Sequence, residues 1–333
     1  MRRSKKERLE KKGWRFGTAE DFLGHPRGSR VDRVAELRRA LGRRAPPKTI
    51  WQWAFDHDND HLRRLARLQP DAKPDAMDLV DYALDIRYEE VQKDLLLWLL
   101  PFCLRAWRDD LRGVDASHGG FVEQLYPALV DGGILDRVLG EDERAAVALF
   151  MREAILEEID DQAGLSFSGM KVRPYRWVYA LTTYGVLQSD LEQLWTDWWA
   201  VGTRGRAVAA VQYISCLAYG EDENPVFAPW TREGGGGPPE LWQFAGHLYT
   251  HRWLEPNVRF LVKILDPTTV TEVLRSAVAR LATEVEGDQA GRVLAGLATR
   301  TPVLAHRCEE LPRILAEARQ PGVLREWSRS EAG

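Results

Sequence analysis

Apolar residues recur at spacings of three and four along most of the chain from about residue 30 onward, and this periodicity constrains the fold more than any other feature. In RVDRVAELRRALGRR, for example, Val34, Leu37 and Leu41 lie on one face of a helix. Strand-like composition is confined to residues 171–187, whose β-branched and aromatic residues suit a strand as well as a helix. We therefore expect an all-α fold, a multi-helical bundle or an irregular α-solenoid-like array of antiparallel helix pairs, with at most a minor β element at 171–187.

The same periodicity predicts individual helices, because Gly, Pro or a capping residue stands at most of the gaps. Asp266 followed by Pro267 is typical of a helix start, since the carboxylate caps free amides and proline suits the first turn. Two helices are predicted in DLVDYALDI and YEEVQKDLLLWLLPFCLRAWRDDL. Others are expected at about 49–68, 121–130, 142–161, 188–200, 203–219, 239–252, 256–265, 268–285, 288–299 and 302–318.

The 333 residues exceed the length at which a single hydrophobic core usually stops growing. We expect a basic N-terminal arm with the first helix at 1–48, a helical lobe at 49–187 and a second lobe at 188–333, or one continuous domain. The longest predicted loop, residues 219–240, contains four consecutive glycines and is either a lobe boundary or a lid.

Charge is distributed unevenly along the chain. The first 50 residues contain 16 Lys and Arg against 6 Asp and Glu, whereas the remainder contains 30 against 44. A block of positive charge favours a polyanion or an acidic protein surface as its partner. The cations expected to bind such a partner are Arg2, Arg3, Lys5, Lys6, Arg8, Lys11, Lys12, Arg15, Arg38, Arg39, Arg43 and Arg44.

Other features bear on the cellular compartment. The most apolar stretch, LLLWLLPFCL at 95–104, is far shorter than the roughly 20 residues of a membrane span, so it predicts a buried helix and no membrane association. The charged start MRRSKKERLEKK lacks the apolar block of a secretory signal, and we expect a cytoplasmic protein. Cys103, Cys216 and Cys308 are far apart in apolar or helical sequence, which favours reduced structural thiols.

Residues 51–64, WQWAFDHDNDHLRR, combine bulky apolar residues with two histidines four positions apart. On a helix through this segment, Trp51 and Phe55 fall on the buried stripe. His57 and His61 share a face beside that stripe. In the simplest interpretation both histidines are half-exposed and are paired with acidic neighbours.

A second interpretation of His57 and His61 is a metal site. The string HDxxH has the layout of the H-E-x-x-H helix of zinc peptidases, with the shorter Asp58 at the position of their glutamate base. Asp81 or Asp85 on the next helix would supply a third ligand. Such a set would make the protein a metal-dependent hydrolase.

His247 and His251, in LWQFAGHLYTHRW, form a second pair with the same spacing. If the two helices pack side by side, four imidazoles meet in one site, and neutral imidazoles suit zinc. Our leading expectation is a protein without a cofactor, and zinc is the alternative.

Three further motifs have structural explanations. WTDWW at 195–199 sets three tryptophans at spacings of three and four, which favours core packing over a platform for bases or peptides. VGTRGRAV at 201–208 lacks the ending of a P-loop, and capping of a helix by Thr203 accounts for it. EAILEEIDD at 153–161 is expected to be a solvated face, the alternatives being an acid–base or metal pair and a dock for a basic segment.

From these features we expect a non-enzymatic, cytoplasmic helical scaffold that docks a protein partner through its basic N-terminal arm. One alternative is the metal-dependent hydrolase. The other is a nucleic-acid-binding protein that uses residues 2–48. The sequence makes no prediction about the oligomeric state.

Overall fold

The computed structural model describes residues 33–42, 45–55, 59–70, 72–111, 125, 128–129, 133–165, 191–219 and 254–317. All regular secondary structure in these residues is helical, and it comprises ten α-helices and one π-helical turn at Ile134–Val138. The all-α fold predicted from the apolar periodicity is confirmed. The strand-like segment 171–187, nearly all of the predicted loop 219–240 and the predicted helix 239–252 lie outside the described residues.

In chain order the α-helices are α1 (Arg33–Ala40), α2 (Asp60–Ala66), α3 (Ala76–Tyr88), α4 (Lys93–Leu111), α5 (Glu141–Asp160), α6 (Leu191–Trp199), α7 (Arg204–Ala218), α8 (Glu255–Ile264), α9 (Pro267–Leu281) and α10 (Gly287–Glu317). The bounds of α5, α7 and α8 agree with the predicted bounds to within one residue. The cap predicted for α9 is also present, since Asp266 Oδ2 accepts the Thr269 amide at 2.9 Å.

The chain divides into two compact units, Met1–Glu36 and Leu37–Gly333. Only residues 33–36 of the first unit are described, and the packing given below is that of the second unit. The lobe boundaries expected at 48 and 187 remain predictions.

Helix α7 lies at the centre of the second unit. All its residues from Ala207 to Ala218 are buried, and it packs against α5, α6, α9 and α10. Most residues on every side of this part of the helix are apolar, so it has no polar face to place in water and lies at the centre.

Gly205, at the start of α7, permits a close approach to the end of α5. A Cβ atom at this position would lie 2.0 Å from the carbonyl oxygen of Asp160. Only a residue without a side chain fits there, so the crossing of α5 and α7 depends on this glycine.

The apolar run at 95–104 forms part of α4, as predicted. Leu95, Leu99 and Leu104 are fully buried, and α4 continues through Pro101. It packs against α2 and α5. Within the described parts of the chain, no helix is both long and apolar enough to cross a bilayer.

The helix predicted at 49–68 is wrong over its first half. Helix α2 begins only at Asp60, and the described residues 51–55 before it are not helical. The physical reason is that distant side chains take the backbone amides of this segment. The amide of Trp51, for example, donates to Gln92 Oε1 at 2.9 Å.

The helices predicted at 288–299 and 302–318 are one helix, α10, which contains Pro302 and Pro312. Pro302 has no N–H to donate to the carbonyl of Ala298. The hydroxyl of Thr301 donates to that carbonyl at 3.3 Å, so the helix continues with the oxygen satisfied.

Candidate functional site

His61, one of the predicted metal ligands, is part of a buried polar contact. Its side chain is on α2 and is only 3 % exposed, and its Nε2 lies 2.6 Å from Oδ2 of Asp85 on α3. Asp85 is 2 % exposed, and its Oδ1 accepts the backbone amide of Phe55 at 2.8 Å. The pair therefore ties two helices to the nonhelical segment 51–55.

Most of the other predicted metal ligands lie outside the described residues. Asp81 is half-buried on α3, whereas His57, His247 and His251 lie outside the described residues. Among the residues that the structure does describe, no group of three or more His, Cys, Asp or Glu side chains is arranged to hold a metal ion. A meeting of the two histidine pairs stays a prediction.

Of the cations expected to bind a partner, two are described. The guanidinium of Arg38 donates to the carbonyl of Pro70 and lies 5.1 Å from the ring centroid of Phe102, so it contributes to packing. Arg39 is exposed. The cations that lie outside the described residues are Arg2, Arg3, Lys5, Lys6, Arg8, Lys11, Lys12, Arg15, Arg43 and Arg44.

The tryptophans of WTDWW belong to the core, as their spacing predicted. Trp195, Trp198 and Trp199 are buried and surround the ring of Tyr213, with centroids 5.4–6.2 Å apart in edge-on arrangements. They offer no stacking platform to a ligand.

The start of α7, in VGTRGRAV, is occupied by carboxylates of the protein itself. Thr203 caps the helix as predicted, and its hydroxyl donates to Asp160 Oδ1 at 2.6 Å. Arg206 binds both oxygens of Asp160, at 2.8 and 3.1 Å. This helix start therefore serves packing between α5 and α7.

A second ion pair lies beside it. Arg204 binds both oxygens of Glu286, at 2.7 and 3.2 Å, and Glu286 also accepts the backbone amide of Gly164 at 2.8 Å. Burial raises the pKa of Glu286, but the hydrogen bonds from Arg204 and Gly164 lower it further than burial raises it. The net result is a pKa below the ordinary value for glutamate.

The acidic stretch 153–161 is only partly a solvated face. Glu158 is buried and accepts a hydrogen bond from Gln162 at 3.2 Å. Glu153 accepts one from Arg152 at 2.9 Å. Together with Asp160, these carboxylates form intramolecular hydrogen bonds, which leaves fewer of them available to a partner.

One surface was missed by the sequence reasoning. In the segment 51–55 the side chains of Trp51, Trp53 and Phe55 each expose about half or more of their surface, and the residues between them are buried. Tyr88 joins them, since its ring centroid lies 4.8 Å from that of Phe55 and it is also exposed. We call these four side chains the aromatic strip. The alternation in WQWAF was the available signal, but the apolar residues of an alternating segment normally face the core.

Three side chains hold the segment 51–55 in place. Gln92, Asn59 and Asp85 together accept the backbone amides of four of its five residues, at 2.8–3.3 Å. In return, Gln52 Oε1 accepts the backbone amide of Gln92 at 3.0 Å. The backbone of the aromatic strip is therefore fixed by the buried polar groups beneath it.

No protein-family model, curated protein or solved structure matches this chain.

Proposed function

We propose that the protein is a non-enzymatic, cytoplasmic helical scaffold that docks a protein partner through its basic N-terminal arm. The observation that carries the proposal is the separation of charge along the chain. The first 50 residues have a surplus of ten positive charges, from 16 Lys and Arg against 6 Asp and Glu, and the remainder has a surplus of negative charge. A localised positive segment attracts an acidic partner surface and orients the encounter.

Polar groups that join separate elements of the second unit support a scaffold role. Arg204, Arg206 and Asp85 each join different elements of the fold through hydrogen bonds. Because Arg38 is engaged with Pro70 and Phe102, the proposal relies on the other cations of the arm.

We place this function ahead of the metal-dependent hydrolase because of His61. Its Nε2 is engaged with Asp85, and the side chain is buried. The contact with Asp85 accounts for the buried imidazole as a structural group that joins α2 to α3.

The test compares the full-length protein with a variant in which the first seven cations of the arm are replaced by Gln. Both are used to capture partners from the source cell, and the affinity for the captured partner is then measured. We expect the variant to lose capture. In the wild type, the affinity should decrease as the salt concentration rises from about 50 to 200 mM. The substituted residues are Arg2, Arg3, Lys5, Lys6, Arg8, Lys11 and Lys12.

A matched control removes exposed arginines elsewhere. The substitutions Arg275→Gln, Arg280→Gln and Arg292→Gln lie on α9 and α10 and should leave capture unchanged. Equal capture by the wild type and the arm variant would contradict the proposal. Preferential binding of duplex DNA or RNA by the wild-type arm, with no acidic protein captured, would favour nucleic-acid binding instead.

A further inference from the structure

The aromatic strip runs beside the connection between α3 and α4. At one end the ring of Phe55 contacts Tyr88, and at the other the amide of Trp51 donates to Gln92. The segments 51–55 and 88–92 therefore lie side by side in opposite directions. Residues 89 and 90, between the two contacts, border the strip along its length.

The backbone of segment 51–55 is held in place by the fold itself, without a bound partner. Side chains of the fold accept four of the five backbone amides of segment 51–55, and the ring centroids of Phe55 and Tyr88 lie 4.8 Å apart. Exposed aromatic side chains on a fixed backbone bind with little loss of conformational entropy, and tryptophan and tyrosine are the residues most often responsible for binding energy at interfaces.

The charge along the strip indicates what it binds. Glu89 is half-buried and Glu90 is exposed, and within the described part of the chain neither carboxylate is in a salt bridge or side-chain hydrogen bond. Arg87, the nearest cation in sequence, lies 5.1 Å from the Tyr88 ring. Free carboxylates repel the phosphates of a nucleic acid and attract cationic side chains.

We propose that the aromatic strip binds a segment of a partner protein that presents arginine side chains. Guanidinium groups stack on the indole rings of Trp51 and Trp53 and pair with Glu89 and Glu90, while aliphatic side chains of the segment cover Phe55. The residues of this surface are not those of the basic arm, and the surface selects a partner of the opposite charge to the one that the arm attracts.

The test uses a fluorescein-labelled peptide of alternating arginine and leucine, titrated with the full-length protein and followed by anisotropy. We expect saturable binding by the wild type. Trp53→Ala, a substitution at a side chain that is 65 % exposed, should weaken it by about tenfold or more, because exposed aromatic anchors dominate such contacts. The double variant Glu89→Gln with Glu90→Gln should weaken it and flatten its dependence on salt.

Two comparisons make the test specific. Met77→Ala, at a side chain 62 % exposed on α3, should leave the affinity unchanged. A glutamate–leucine peptide and a single-stranded oligothymidine should bind at least about tenfold more weakly than the arginine peptide.

The proposal is overturned by an absence of saturable binding, by Trp53→Ala binding as tightly as the wild type, or by the acidic peptide or oligothymidine binding as tightly as the arginine peptide. The seven-site arm variant should bind the arginine peptide as well as the wild type does. That result separates a failure of this surface from a failure of the arm.

Discussion

Nε2 of His61 lies 2.6 Å from Oδ2 of Asp85, and both side chains are buried. Because the other oxygen of Asp85 accepts the amide of Phe55, a single carboxylate joins α2, α3 and the aromatic strip. His61, which the HDxxH motif suggested as a metal ligand, therefore belongs to the buried polar contacts that hold the aromatic strip in place.

Substitution of Asp85 by Ala should destabilise the protein. It leaves His61 and the amide of Phe55 without this acceptor, and unsatisfied buried groups of this kind cost about 2–4 kcal/mol together. The free energy of unfolding measured in urea gives the loss. Amide hydrogen exchange at residues 51–55 should become faster in the same variant.

Asp60→Ala is the matched control, since Asp60 and Arg63 form an ion pair in which both side chains are about three-fifths exposed. Exposed pairs contribute less than about 1 kcal/mol, so this variant should stay close to the wild type. Equal stability of the two variants would remove the structural role assigned to Asp85.

Glu286→Gln should lower stability at neutral pH and have less effect in acid. The folded-state pKa of Glu286 lies below the value of 4.5 that it regains on unfolding, so its stabilising contribution is present above that value and is lost as the pH falls through the folded-state pKa. We expect a loss of about 3 kcal/mol at pH 7, typical of breaking a buried pair, and a smaller difference near pH 3.5. Urea unfolding at the two pH values measures both.

Glu284→Gln serves as the comparison for this pH experiment. Glu284 is about one-third exposed and lies 3.6 Å from the Nε of Arg204, so its removal should cost under about 1 kcal/mol. A difference between Glu286→Gln and wild type that is the same at both pH values would show that the charge of Glu286 is not what stabilises the fold.

Gly205→Ala should be strongly destabilising, although alanine normally favours a helix over glycine. The new methyl group would lie 2.0 Å from the Asp160 carbonyl, so α5 and α7 must separate at a cost of about 3 kcal/mol or more. Gly291 on α10 provides the opposite case, since no atom beyond the neighbouring residues and the backbone of its own helix lies within 4 Å of the position that a Cβ would take there. Gly291→Ala should therefore stabilise by about 0.5–1 kcal/mol.

Thermal unfolding shows whether each of these two variants has a higher or a lower melting temperature than the wild type. If Gly205→Ala leaves the melting temperature unchanged or raises it, the close crossing at Gly205 is not a determinant of the fold.

The thiols of Cys103 and Cys308 should resist modification while the protein is folded. Burial raises the pKa of each to about 12, so that near pH 8 about one molecule in ten thousand carries the reactive thiolate. Labelling with a disulfide reagent should be negligible in buffer, where Cys216 is buried as well, and rapid in denaturant. Rapid labelling of Cys103 or Cys308 without denaturant would be inconsistent with the packing of α4 and α10.

The parts of the fold that sequence predicted well depend on nearby residues. The helix α7 is mainly apolar from Ala207 onward and is capped by Thr203 in its first turn, so its bounds follow from residues within a few positions. The cap at Asp266 and the tryptophan cluster at 195–199 are local in the same sense.

The parts that could not be predicted depend on residues far apart in the chain. The segment 51–55 is held by Asp85 and Gln92, which lie 30 to 41 positions away, and a helical wheel contains no information about them. The partner of Arg204 is Glu286, 82 positions further along. A surface or ion pair of this type becomes visible only when the tertiary structure is known.

Helix α7 receives its neighbours from both directions along the chain, and α9 and α10 are translated after it. A nascent polypeptide that has reached only residue 266 lacks the two later helices that cover α7, and exposed apolar surface of this kind promotes aggregation. A chain truncated before α9 should therefore be less stable and more prone to aggregation than the full-length protein.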